Sequence, residues 1–191
     1  MADHPTITRA FTAALELDGD GRTIVGRCVP YDAPTLVQDP GAPEPYMETF
    51  RRGAFRSAMK APDRVHLVFG HDELAIGNQL GHAVSFTDTD GGLEGVFRAV
   101  GSPGDMALEQ IRAGMFRGLS IHAAIPPSGS RRRTDGVIER TMVYLRHVAL
   151  VKEPAYESAT VTALRSSSAD PLGEIRAAQD RYRLRWPARA D

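Results

Sequence analysis

The chain of 191 residues has a single cysteine, Cys28. It can close no intrachain disulfide, and no thiolate set exists for a structural zinc, so a reducing compartment is compatible. Cys28 sits among Val25, Gly26, Arg27 and Val29 in a strand-like run, the setting of a buried structural thiol. An excess of charge is also missing: Lys and Arg number 23 against 24 for Asp and Glu, a formal net of -1. That balance gives no reason to expect nucleic acid or an anionic membrane as partner. Arg131-Arg132-Arg133 is the local exception, read as a solvated loop in a Ser/Gly/Pro-rich stretch. No uninterrupted apolar run approaches the ~20 residues needed to span a bilayer. The opening Met1-Ala2-Asp3-His4-Pro5 has no basic start followed by an apolar run, so a soluble, unexported protein is expected. What is present, 42% hydrophobic and 25% charged residues, fits one globular domain with a real core.

Ile7 to Leu17 and Thr23 to Tyr31 read as strands, and Asp18-Gly19-Asp20-Gly21 between them is hairpin grammar. Ala33 to Pro45, with Pro34, Pro40, Pro43 and Pro45, reads as a surface loop. Phe55 and Met59 are spaced as on one face of a short helix. Strands are expected over Arg64 to Phe69, Gly81 to Thr87 and Leu93 to Val100, the last two joined by Asp88-Thr89-Asp90-Gly91-Gly92. Ser102-Pro103-Gly104-Asp105 looks like an N-cap with proline at the first helical position, and Met106, Leu108, Ile111 and Met115 supply helical spacing. That helix feeds into an alternating run, Leu119 to Ile125. A polar loop, Pro126 to Gly136, precedes a long strand pattern from Val137 to Val151, and Ala155 to Leu164 has the makings of another short helix. With no βαβ alternation and no internal repeat, the expected fold is α+β, a mainly antiparallel β-barrel-like core with a few flanking helices. Residues 1-165 are read as the domain, and 166-191 as a flexible link and charged C-terminal tail.

Serine becomes a nucleophile only when a neighbouring base takes its proton and a third group fixes that base. Ser120 follows Gly118 in an apolar strand entered straight from a helix, which alone is weak evidence, since a hydroxyl there can satisfy itself on backbone carbonyls. His71 closes the apolar strand Val65-His66-Leu67-Val68-Phe69-Gly70 and precedes Asp72. His147 lies inside the apolar strand Tyr144 to Val151, where a packed core histidine is the plain reading. His122, two residues from Ser120 and on the same strand face, competes with His71 as base. His66, His71, Asp72, His82, His122 and His147 could together supply zinc ligands, but no pair has the i, i+4 spacing of an HExxH helix.

The order Gly53-Ala54-Phe55, then His71-Asp72 closing a strand, then Gly118-Leu119-Ser120-Ile121 after a helix, then Val148 to Ala155, resembles the prohead proteases of tailed phages. The resemblance runs from about Gly26 to Leu164, and that family is similar in fold and catalytic order to herpesvirus assemblins. It implies a herpesvirus-protease-like barrel with His71 as general base, Ser120 as nucleophile and His147 as third member. It also implies no cofactor, and as substrate the major capsid protein with its scaffold segment. Action inside the assembling procapsid in the host bacterial cytoplasm, self-association, and self-cleavage near Ser166 to Asp170 complete the implied picture. The chain departs from the family where a carboxylate often stands at the position of His147 and glycine at that of His122. An imidazole steadies an imidazolium less than a carboxylate does, so a slow catalyst is expected. The arginine pair that shapes the assemblin oxyanion hole has no match near Pro154-Ala155-Tyr156, so no oxyanion residue is assigned. The alternatives are a catalytically silent capsid-assembly or scaffold-binding protein of the same fold, and a His-ligated metal hydrolase.

Overall fold

The structure is a computed structural model describing residues 4–40 and 42–152. Two sheets carry it. The larger has eight strands in the order β1-β9-β12-β6-β7-β8-β3-β2. These are β1 (Thr6–Thr12), β2 (Glu16–Asp18), β3 (Thr23–Pro30), β6 (His66–Phe69), β7 (Gln79–Asp88), β8 (Gly92–Ala99), β9 (Gly118–Ala124) and β12 (Tyr144–Val151). The smaller runs β10-β11-β5-β4, from β4 (Thr35–Val37), β5 (Tyr46–Phe50), β10 (Ser130–Arg132) and β11 (Ile138–Arg140). Among the described residues two α-helices, α1 (Arg56–Lys60) and α2 (Gly101–Arg112), flank them. Pairing is antiparallel except for β12 with β6 and β11 with β5.

Chain connectivity dictates the curvature. β1 and β2 form opposite edges of the large sheet, yet only Ala13–Leu15 separates them. A flat sheet of eight strands would hold its edges ~34 Å apart, whereas the connection reaches at most ~14 Å. The sheet must curl, and it forms a half-barrel. The expected first hairpin is therefore only its second half. β2 and β3 pair across the Asp18–Gly21 turn, while β1 crosses to the far edge and pairs with β9.

Alternation sorts side chains between two faces. Leu67, Phe97, Leu119, Ile121 and Leu150 are fully buried in the core, each contributing ~1.5–3 kcal/mol by burial. The small sheet closes over this core through Phe50, which packs edge-on to Phe11 and against Phe55. A buried ionic cluster pins it there. Arg9, 3% exposed, donates to Glu48 Oε2 at 2.6 Å and Asp39 Oδ1 at 2.8 Å, and Arg140 Nε reaches Glu48 Oε1 at 2.6 Å.

Several local expectations need correction. The loop Ala33 to Pro45 contains β4, and the polar stretch Pro126 to Gly136 contains β10, so Arg131 is an ion-paired strand residue, 2.5 Å from Glu139. The long strand from Val137 to Val151 is two strands in different sheets, interrupted at Thr141–Val143 where the chain passes from one sheet to the other. Ser102 is not the N-cap of α2; the helix begins at Gly101 behind Val100, without a side-chain cap. The expected helix at Ala155 to Leu164 and the tail 166–191 lie outside the described residues.

Candidate functional site

Ser120 stands in the middle of β9, and its strand partners on either side are Ala10 and Ala149. Leu119 and Ile121 point into the core, so Ser120 and His122 project from the opposite face. Two alanines beside the serine keep bulk away from its hydroxyl, although the residue is only 1% exposed. The pairing of β9 with β12 sets His122 beside His147, and the parallel pairing of β12 with β6 sets His147 beside His66. His66 in turn pairs with His82 on β7. Register thus lines four histidines in one row across four strands, an arrangement that no spacing along the chain announces.

His71 comes from the loop that follows β6. Gly70 takes φ +61°, a left-handed turn that bends the chain back over the sheet face. The loop holds itself in place: Leu74 N–H donates to Asp72 Oδ1 at 3.2 Å, Asn78 Nδ2 to the Asp72 carbonyl at 3.2 Å, and the Gln79 side-chain amide to the Glu73 carbonyl. Asp72 is therefore a loop staple that leaves the histidines alone.

The side chains meet in a continuous line. His71 Nε2 is 2.8 Å from Ser120 Oγ, His71 Nδ1 is 3.0 Å from His147 Nε2, and His147 Nδ1 is 2.8 Å from Glu73 Oε2. Ser120 Oγ also lies 3.1 Å from the Arg9 carbonyl oxygen, a second acceptor for its proton. All three sequence-predicted residues, His71, Ser120 and His147, are brought together. His122 is not on the serine: its ring stacks on His147 at 5.0 Å between centroids, and its Nδ1 is 3.1 Å from Thr8 Oγ1. Sequence reasoning missed Glu73, whose only signal was an acid two residues after a candidate base.

The pKa of His71 is pushed down to about 4, first by desolvation of its ring and then by the nearby His147 and His122. Residue 71 is exposed as a whole, but both of its ring nitrogens turn inward, onto His147 and Ser120. His122 is lowered as well, mainly by burial and then by His147. A neutral His71 carries one N–H, and with Nδ1 donating to His147 its Nε2 lone pair faces Ser120. Such an array can draw a proton from a hydroxyl at neutral pH. Among the described residues no three His, Cys, Asp or Glu side chains converge as a metal-binding set.

The fold resembles that of the bacteriophage T4 capsid assembly protease, with a TM-score of 0.53 at 12% identity over 78% of this chain and 98% of that one. No curated protein matches the sequence. A family model does, that of the caudovirus prohead serine protease, and it spans residues 12–173. The chain therefore belongs to the caudovirus prohead serine protease family.

Proposed function

We propose that the protein is a serine endopeptidase of capsid maturation, cutting capsid or scaffold protein inside the prohead, with Ser120 as nucleophile, His71 as base and His147 orienting the base. The observation that carries this reading is the 2.8 Å contact between Ser120 Oγ and His71 Nε2, backed by the 3.0 Å contact of His71 with His147. His71 accepts the Ser120 proton at Nε2 as Oγ bonds to the scissile carbonyl carbon. The imidazolium returns that proton to the leaving amine when the tetrahedral intermediate collapses. Water then attacks the acyl-enzyme with His71 again as base, releasing the acid and restoring the serine. A cleft of about 580 Å³ meets this line at its Glu73 end, with His66 and Ala124 also in its wall, while Ser120, His71 and His147 do not line it. Ala10 and Ala149 add little side-chain bulk beside Ser120, which is itself 1% exposed, so a scissile carbonyl reaches Oγ only as the groups over it give way.

The substrate is proposed as the major capsid protein and its scaffold segment, processed within the procapsid in the bacterial cytoplasm by a self-associating enzyme. Self-cleavage in Ser166 to Asp170 is proposed with it, because small polar backbone enters an active site readily. The test is co-expression of the full chain with its neighbouring capsid gene, followed by mass spectrometry of both products. The reading expects a shortened capsid protein with the wild-type chain and an intact one with Ser120→Ala. Intact capsid protein that co-purifies with the wild-type chain would instead support a silent assembly protein.

A further inference from the structure

In a hydrogen-bonded pair of imidazoles, nothing internal fixes the direction of the protons. Each neutral ring holds one N–H on either nitrogen, so His71 and His147 have two arrangements that bond equally well to one another. In the first, His71 Nδ1–H donates to His147 Nε2 and His71 Nε2 is free to accept from Ser120. In the second, His147 Nε2–H donates to His71 Nδ1, and His71 Nε2 carries a proton that points at the serine. Only the first is a base.

We infer that Glu73 selects the first arrangement, acting as a positioning residue that completes a Ser120–His71–His147–Glu73 relay. The inference rests on the serine protease reading. Its carboxylate oxygen sits 2.8 Å from His147 Nδ1 and accepts but cannot donate, so Nδ1 must hold the proton and Nε2 must be the acceptor for His71. Around His147 stand His71 and Glu73 from the loop after β6, His122 from β9 and His66 from β6. Of these, Glu73 is the one anion. The His147 side chain is 2% exposed, so loss of its acceptor would leave a buried N–H unpaired. Glu73 itself is 45% exposed and forms no other side-chain bond among the described residues, and its main-chain carbonyl is held by the Gln79 amide. The Glu73 side chain is thus an exposed loop acid bonded, among the described residues, to a buried histidine alone.

When His71 becomes an imidazolium, its charge lies one imidazole away from this carboxylate, which compensates it through His147. The chain thus keeps a carboxylate in the system while a histidine stands next to the base.

Three proteins decide the matter: the full-length wild type, Glu73→Gln and Ser120→Ala. Glutamine keeps the size of the side chain while removing its charge, and its amide can donate, so it no longer dictates the tautomer. The first readout is the rate at which a fluorophosphonate probe, losing fluoride, forms its phosphorus–oxygen bond on Ser120, followed by peptide mass spectrometry. The second is the nitrogen chemical shifts of His71 and His147 by NMR, which report the tautomer directly. Glu73→Gln should label on the order of 10²-fold more slowly, short of the ~10⁴-fold seen when a carboxylate directly on the base is neutralised. Its His147 Nδ1 should lose its uniformly protonated signature while the thermal midpoint holds. Labelling at the wild-type rate, or a tautomer unchanged by Glu73→Gln, overturns the inference. Continued labelling and cleavage by Ser120→Ala would instead overturn the protease reading beneath it, so the two failures are distinct.

Discussion

His71 Nε2 faces Ser120 Oγ at 2.8 Å although the serine is fixed mid-strand and the histidine sits on a loop. The serine cannot move without disturbing the sheet, so the loop decides whether the pair exists. Gly70 and the Asp72 and Gln79 hydrogen bonds are what hold that loop over β9.

The pH dependence follows from the lowered His71. Its pKa of about 4 in the folded chain, against an ordinary 6.5, keeps the proposed base neutral through the neutral range. Rates of labelling or cleavage should be level from neutral pH downward and should fall near pH 4 as Nε2 is protonated. Stability moves with the same group. Between 6.5 and about 4 the unfolded chain binds a proton that folded His71 refuses, so stability declines as pH falls through that window and levels off below it. His122, lowered in the same direction, adds to the decline. Urea midpoints at a series of pH values, with the His71→Ala variant as comparison, check the sign.

The two neighbouring histidines should separate cleanly on substitution. His147→Ala removes the group proposed to orient His71 and should slow cleavage by about 10²- to 10³-fold. His122→Ala removes a ring bonded to Thr8 and stacked on His147, with no bond to the serine, and should leave cleavage within about 3-fold of wild type. Parallel single-turnover assays of the two variants measure this. Activity lost with His122→Ala and kept with His71→Ala would make His122 the base.

The ionic cluster predicts a large effect on stability. Glu48 is 2% exposed and serves both Arg9 and Arg140, so Glu48→Gln leaves two guanidinium groups with less charge to answer them. The expected loss is about 3–5 kcal/mol, read as a lowered urea midpoint. A surface pair such as Arg52 with Asp90, both well exposed, should cost under about 1 kcal/mol when broken.

Strand periodicity and turn chemistry made much of the fold legible. The hairpins at Asp18–Gly21 and Asp88–Gly92, the helix before Ser120 and the strand Leu119–Ile125 are all found close to where patterning puts them. The residues that patterning placed wrongly belong mostly to the second sheet. β4 and β10 are three residues each, too short to alternate visibly, and β10 is polar because its strand faces solvent. In the candidate site, residue order and resemblance singled out His71, Ser120 and His147, whose side chains meet in the structure. Glu73 was not singled out, because a loop has no period and its backbone alone decides where a side chain points. The row His122–His147–His66–His82 was hidden for a different reason: it depends on strand order and register, which local sequence does not encode.

The most direct test is to treat the full-length chain with a fluorophosphonate probe and map the modified residue by peptide mass spectrometry. A reactive serine here predicts one adduct, on Ser120, absent from Ser120→Ala and formed at least about 10³-fold more slowly in His71→Ala. Ser120→Ala should remain folded, since the lost hydroxyl bonds cost no more than about 2 kcal/mol. A wild-type chain that takes no label at Ser120, or one whose capsid cleavage persists in Ser120→Ala, would contradict the assignment.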